Sequence, residues 1–246
     1  MKKLYEKSQL IFAIVCIAAY IVLFSLADGI SAVLGVEKSV TAGVGLALSA
    51  LLVYFVYRNG LQQEYGLCKS KFSAKTYLYF IPLALIVSVN LWGGVSLNYS
   101  PAETALFIVS MICVGFLEEL IFRGFLFVAM RKDGLVSAMI VSSLTFGIGH
   151  IVNLLGGADF LPTLMQICYA TSAGFLFTVI FHKSGNLLPC IIGHAVMNSL
   201  SAFLTARSAV LEWTVYGVLI VVPVLYALWI LKAEKKSDHS TEEENA

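Results

Sequence analysis

Gly115-Phe116-Leu117-Glu118-Glu119-Leu120-Ile121-Phe122-Arg123-Gly124 puts two adjacent carboxylates, and a guanidinium four residues after the second, inside a stretch that is otherwise apolar. Packing does not call for two carboxylates there. A charge at the centre of a bilayer costs roughly 2.5–3.5 kcal/mol on insertion scales, so such residues face a polar cavity and mark function. His150 and His194 repeat the pattern, each within an apolar run of its own. The three stretches together read as chemistry assembled inside a membrane.

The rest of the chain fits that reading. Of 246 residues, 59% are hydrophobic and only 13% charged, about half the charged fraction of soluble domains. Mean hydropathy is +0.87. Apolar runs of about 20 residues match a hydrocarbon core of roughly 30 Å. Eight are present, at 9–27, 39–57, 76–97, 102–127, 135–154, 160–181, 187–206 and 212–231. Short connections leave no space for a soluble domain. The expectation is an all-α polytopic membrane protein with eight transmembrane helices in a single domain over 1–231, followed by a polar, disordered cytoplasmic tail over 232–246. The first run exceeds the 7–15 residues of a signal-peptide core and reads as a retained helix. The five cysteines are not closely paired, which argues against disulfides or a thiolate metal site.

Charge sets an orientation. With the N-terminus inside, thirteen basic residues fall in inside segments, among them Lys2, Lys3, Lys7, Arg58, Arg131, Lys132, Lys183 and Lys232, while only Lys38 and Arg207 fall outside. Arg123, the sixteenth, lies in a run. This asymmetry predicts two cytoplasmic termini in a cell membrane, with a bacterium-like chain in view. A net charge of +1 gives no reason to expect nucleic acid. Arg207 reads as a residue snorkelling at the outer interface.

Helical spacing then sorts the polar residues. Ser100-Pro101-Ala102-Glu103 is a capping-box start for the fourth run, which extends toward Lys132-Asp133-Gly134 over about 45 Å. A run that long protrudes into the cytoplasm. Glu118 lies sixteen residues before Gly134 and His150 sixteen after it, so an antiparallel hairpin puts them at one depth, expected in the cytoplasmic leaflet with His194. Residues four apart share a face. Glu119 pairs with Arg123 while Glu118 points elsewhere; Phe146 lies with His150, and His194 with Asn198. Gly115, Gly124, Gly147, Gly149, Gly193 and Ala195 flank these positions, as where membrane helices approach closely.

Glu118-Glu119-x-x-x-Arg123, Phe146-x-x-x-His150 and His194-x-x-x-Asn198, in that order on the fourth, fifth and seventh runs, resemble the CPBP family. Its members are the type II CAAX prenyl endopeptidases and the bacteriocin-processing or Abi proteins. The likeness covers about 101–204. It implies an intramembrane endopeptidase whose site opens to the cytoplasmic side and whose substrates are membrane-associated proteins or peptide precursors. Peptide hydrolysis needs a base for water and donors for the developing oxyanion. The resemblance supplies Glu118 with His150 for the first, His194 with Asn198 for the second, and Glu119–Arg123 as structural support. A competing scheme sets Glu118, His150 and His194 around a divalent metal such as zinc. A member of this family acting without cleavage, as an immunity factor or scaffold, is the alternative function.

Overall fold

The computed structural model of the chain describes residues 1–68 and 81–244. All of its regular structure among these residues is helical: α1 (Lys2–Lys7), α2 (Gln9–Leu34), α3 (Ser39–Arg58), α4 (Ile81–Val87), α5 (Pro101–Glu119), α6 (Val128–Arg131), α7 (Leu135–Gly149), α8 (Phe160–Ser184), α9 (Leu188–Leu200) and α10 (Ala209–Glu244). Six helical stretches, Gln9–Leu34, Ser39–Arg58, Pro101–Arg131, Leu135–Leu154, Phe160–Ser184 and Ala209–Lys232, are long and apolar enough to cross a bilayer. The chain is an integral membrane protein.

The boundaries follow local chemistry. Ser8 caps α2, accepting from the Ile11 amide at 3.2 Å, and Gly35 ends it in the left-handed conformation, φ 66°. At α5 the capping box is complete: Ser100 Oγ accepts from the Glu103 amide, and Glu103 Oε2 accepts from the Ser100 amide at 3.2 Å. Glu103 Oε1 also accepts from the Glu37 amide at 3.2 Å, tying the start of α5 to the turn between α2 and α3.

Four expectations change. The run expected over 76–97 is not one helix: 76–80 lie outside the described residues, and the helix beyond them gives way to a 3-10 turn at Ser88–Leu91. Gly93 and Gly94 (φ 105°) follow, and the chain there pairs with the segment after α9 through a Val95–Leu204 bridge. The seventh run is a short apolar helix, Leu188–Phe203. The fourth run is not uniform α-helix either. Between α5 and α6, Leu120–Phe127 form a π-helical segment, a widened coil often found at functional sites, and all eight of its residues are buried. Finally, α10 continues through the polar tail to Glu244, consistent with the good helix formers Ala233, Glu234, Lys235 and Lys236.

α5 and the π segment occupy the centre, with α2, α3, α7 and α9 against them and α8 between α7 and α10. Small residues set the approach distances. A Cβ on Gly115 would lie 2.7 Å from the Ala195 nitrogen, so α5 and α9 touch backbone to backbone.

Candidate active site

Three helices bring the polar residues together. Glu118 and Glu119 end α5, His194 projects from α9, and His150 opens the 3-10 turn His150–Leu154 that follows α7. His194 sits between the two glutamates: its Nδ1 is 2.8 Å from Glu119 Oε1 and its Nε2 is 3.4 Å from Glu118 Oε2. Adjacent in sequence, the carboxylates reach the same imidazole from its two nitrogens.

Glu119 faces the protein interior. It and Arg123 have fully buried side chains, with Arg123 Nη1 3.1 Å from Glu119 Oε1. That approach is an ion pair whose N–H directions miss the oxygen: Arg123 Nε, Nη1 and Nη2, and Glu119 Oε2, have no hydrogen-bond partner. Phe146 compensates in part, its ring centre lying 4.2 Å beneath the guanidinium carbon, with Phe177 5.7 Å away. Phe146 also meets His150 and His194 edge-on, at 5.4 and 5.8 Å between ring centres. Phe146, which helical spacing placed with His150, is therefore also a cation platform.

Glu118 faces open space. It lines two cavities together with Phe146 and His150. The larger, about 440 Å³, also takes in His194 and Asn198. The smaller, about 160 Å³, runs to Asp28 and Lys38. His150 and Asn198 are half-buried and make no side-chain hydrogen bond to another described residue, so both are presented to the larger cavity. Asn153, one turn past His150, donates to Gln166 Oε1 at 2.8 Å across to α8.

Two residues were missed. Tyr20 on α2 donates its hydroxyl to Glu118 Oε1 at 2.8 Å. The available signal was a phenol in an apolar run, since a buried tyrosine hydroxyl needs a partner. Phe177 on α8 stacks on His194 at 6.0 Å and carries no signal beyond apolarity.

Among the described residues no group of three His, Cys, Asp or Glu side chains is gathered so as to hold an ion, and the His194 nitrogens face carboxylates.

Residues 100–200 match the family model described as type II CAAX prenyl endopeptidase Rce1-like. The match covers less than half of the chain. It contains Glu118, Glu119, Arg123, Phe146, His150, His194 and Asn198, and leaves Tyr20 outside. No curated protein and no solved structure matches the chain. Within the matched segment the paired glutamates end an α-helix and the arginine lies in the π segment. The widened coil begins where the sequence turns from Glu119 toward Arg123.

The cavities also bear on access. Their charged ends are Asp28 and Lys38 in one, Arg207 and Glu212 in the other. Lys38 lies between α2 and α3 and Arg207 between α9 and α10, at helix ends opposite Lys2, Arg131 and Lys183. Lys38 and Arg207, the two basic residues that the charge asymmetry puts outside, therefore each line one of these cavities. His150 sits at the far end of α7 from the α6–α7 turn. Arg207 is not snorkelling: its Nη2 turns inward to donate to Val89 O at 2.8 Å and Asn90 Oδ1 at 3.3 Å.

Proposed function

We propose that this protein is an intramembrane endopeptidase that hydrolyses peptide bonds in membrane-associated or peptide-precursor substrates, using water activated by Glu118. The observation that carries the reading is the placement of His194 between Glu118 and Glu119 at the wall of a cavity that also presents His150 and Asn198. Glu118 takes a proton from water as its oxygen attacks the scissile carbonyl, and returns it to the amine as the C–N bond breaks. Tyr20 and His194 hold the carboxylate in position. Asn198 Nδ2 and an imidazole N–H of His150 stabilise the oxyanion. In this reading His194 moves to the side of Glu118 and His150 to the oxyanion, because the ring of His194 is engaged by carboxylates and that of His150 is open. Glu119 orients His194 and offsets the charge of Arg123.

The short helix Leu188–Phe203 and the α4 region complete eight crossings with both termini in the cytoplasm, on the asymmetry of Lys and Arg. Under that orientation Lys38 and Arg207, which line the cavities, lie toward the other side of the membrane.

The test is to compare new peptide termini, by mass spectrometry, in membranes carrying wild-type protein or Glu118→Gln at equal abundance. Termini that need wild-type protein support the reading. An identical set, with any cellular phenotype preserved in the variant, points instead to a role without cleavage.

A further inference from the structure

We propose that the smaller cavity at Glu118 and a pocket beyond it form a hydrated passage that delivers water to the carboxylate by a route separate from substrate, with the Asp28–Lys38 ion pair at its neck. The proposal rests on the peptidase reading above, and adds how the reacting water arrives.

Glu118 stands where two cavities meet, and their walls differ. In the larger, Met111, Tyr169, Phe177 and Met197 suit the apolar side chains of a membrane-associated substrate. A peptide seated there expels water from that side of the carboxylate, yet every cleavage consumes a water molecule. The smaller cavity leads away between α2, α3 and the turn His150–Leu154. Its wall carries Tyr20, Ser25, Asp28, Lys38, Thr41 and Asn153, so polar groups continue outward from Glu118. At about 160 Å³ it has room for on the order of five waters, at roughly 30 Å³ each. It is smaller than the roughly 300–1,000 Å³ of sites that enclose organic ligands, so it suits water and not a peptide.

The passage continues outward. A pocket of about 880 Å³, walled by the α2–α3 turn and the segment after His150, shares Ser25, Asp28, Lys38 and Asn153 with the smaller cavity. Asp28 and Lys38 thus stand at the boundary between the two, with Lys38 Nζ 2.8 Å from Asp28 Oδ1. Thr41 Oγ1 donates to the same Asp28 oxygen, and Ser31 Oγ accepts from the Val40 amide at 3.0 Å, so the start of α3 is fixed around the pair. Lys38 adopts φ 56° and is the only residue other than glycine with positive φ among the described residues. It is also the N-cap of α3, where the helix dipole disfavours a cation. A turn alone would be served by glycine, without strain or charge. Backbone and charge both run against local preference, and the contact with Asp28 at the cavity boundary is what holds them there.

Thiol accessibility tests the passage without any peptide. Ser25→Cys reports the neck, and Gly149→Cys the inner cavity, where an added Cβ meets no atom within 4 Å. Leu23→Cys, on an exposed face of α2 that lines neither space, is the lipid-facing control. The full chain lacking its native cysteines is placed in phospholipid vesicles and treated with 2-hydroxyethyl methanethiosulfonate, with melting temperatures confirming that all three variants fold. The first two should react at least about tenfold faster than the third, because a thiol in lipid stays protonated. Ser25→Cys or Gly149→Cys reacting as slowly as Leu23→Cys overturns the proposal. Turnover then separates water from substrate. Modified Ser25→Cys, compared with the same protein unmodified, should lose at least about tenfold in kcat at unchanged KM. A rise in KM at constant kcat assigns the passage to substrate, and no change in either brings the water through the larger cavity; both results overturn the proposal. If wild type and unmodified variants cut no peptide, the peptidase reading fails, while the labelling contrast still decides whether the passage is wet.

Discussion

The Tyr20 hydroxyl donates to Glu118 Oε1 at 2.8 Å, so a helix outside the family-matched segment holds the carboxylate proposed to activate water. Tyr20→Phe keeps the ring and removes only that bond. Hydrogen bonds to charged groups contribute about 1.5–3 kcal/mol, so turnover should fall at least about tenfold while KM changes little. Steady-state kinetics separate the two parameters. An unchanged kcat would mean that Glu118 does not depend on Tyr20.

Gly115 and Ala195 set the distance between α5 and α9, and with it the reach of His194 to the glutamates. In Gly115→Ala the new Cβ would lie 2.7 Å from the Ala195 nitrogen and 2.9 Å from its Cα, both backbone atoms. The helices must separate, at about 1–3 kcal/mol, and activity per folded molecule should drop. Gly193→Ala meets only Leu83 Cδ2, at 2.9 Å, the end of a flexible side chain, and should melt closer to wild type. Thermal unfolding in detergent compares the two, and equal melting temperatures would remove the close-approach argument.

Much of the site was legible in sequence because charge inside an apolar run has few innocent explanations. Glu118, Glu119 and Arg123 announced themselves that way, and four-residue spacing put Glu119 with Arg123, where the structure has them 3.1 Å apart. What failed was anything that depends on helices being regular. The π segment at Leu120–Phe127 and the 3-10 turn at His150 leave no mark on hydrophobic periodicity. Tyr20 was overlooked, and Arg207 read as snorkelling, for another reason: their partners, Glu118 and Asn90, lie about a hundred residues away in sequence. Long-range pairing has no local signature.

With Glu118 as the base and no group of three metal-binding side chains gathered among the described residues, the activity should withstand chelation. Treatment of the purified enzyme with EDTA or 1,10-phenanthroline, followed by dialysis, is expected to leave kcat unchanged. Loss of activity restored by zinc would show that Glu118, His150 and His194 regroup around an ion.

Orientation is open to direct measurement. The basic-residue asymmetry predicts that Thr205→Cys, beside the wider cavity, reacts with a membrane-impermeant thiol reagent only from the non-cytoplasmic side, in a background lacking the native cysteines. A reporter fused after Lys236 should read as cytoplasmic. Labelling of Thr205→Cys from the cytoplasm would invert the topology.

The two glutamates decide the account. Glu118 lines both cavities, whereas the Glu119 side chain is fully buried between Arg123 and His194. The measurement is turnover per folded molecule for Glu118→Gln and Glu119→Gln, beside their melting temperatures. An amide keeps the shape of the side chain and cannot act as a base, so Glu118→Gln should abolish turnover and melt near wild type. Glu119→Gln leaves the buried Arg123 charge uncompensated, and should lower the melting temperature and the yield of folded protein while the surviving molecules retain measurable activity. A stable, inactive Glu119→Gln beside an active Glu118→Gln would contradict the assignment of Glu118 as the base.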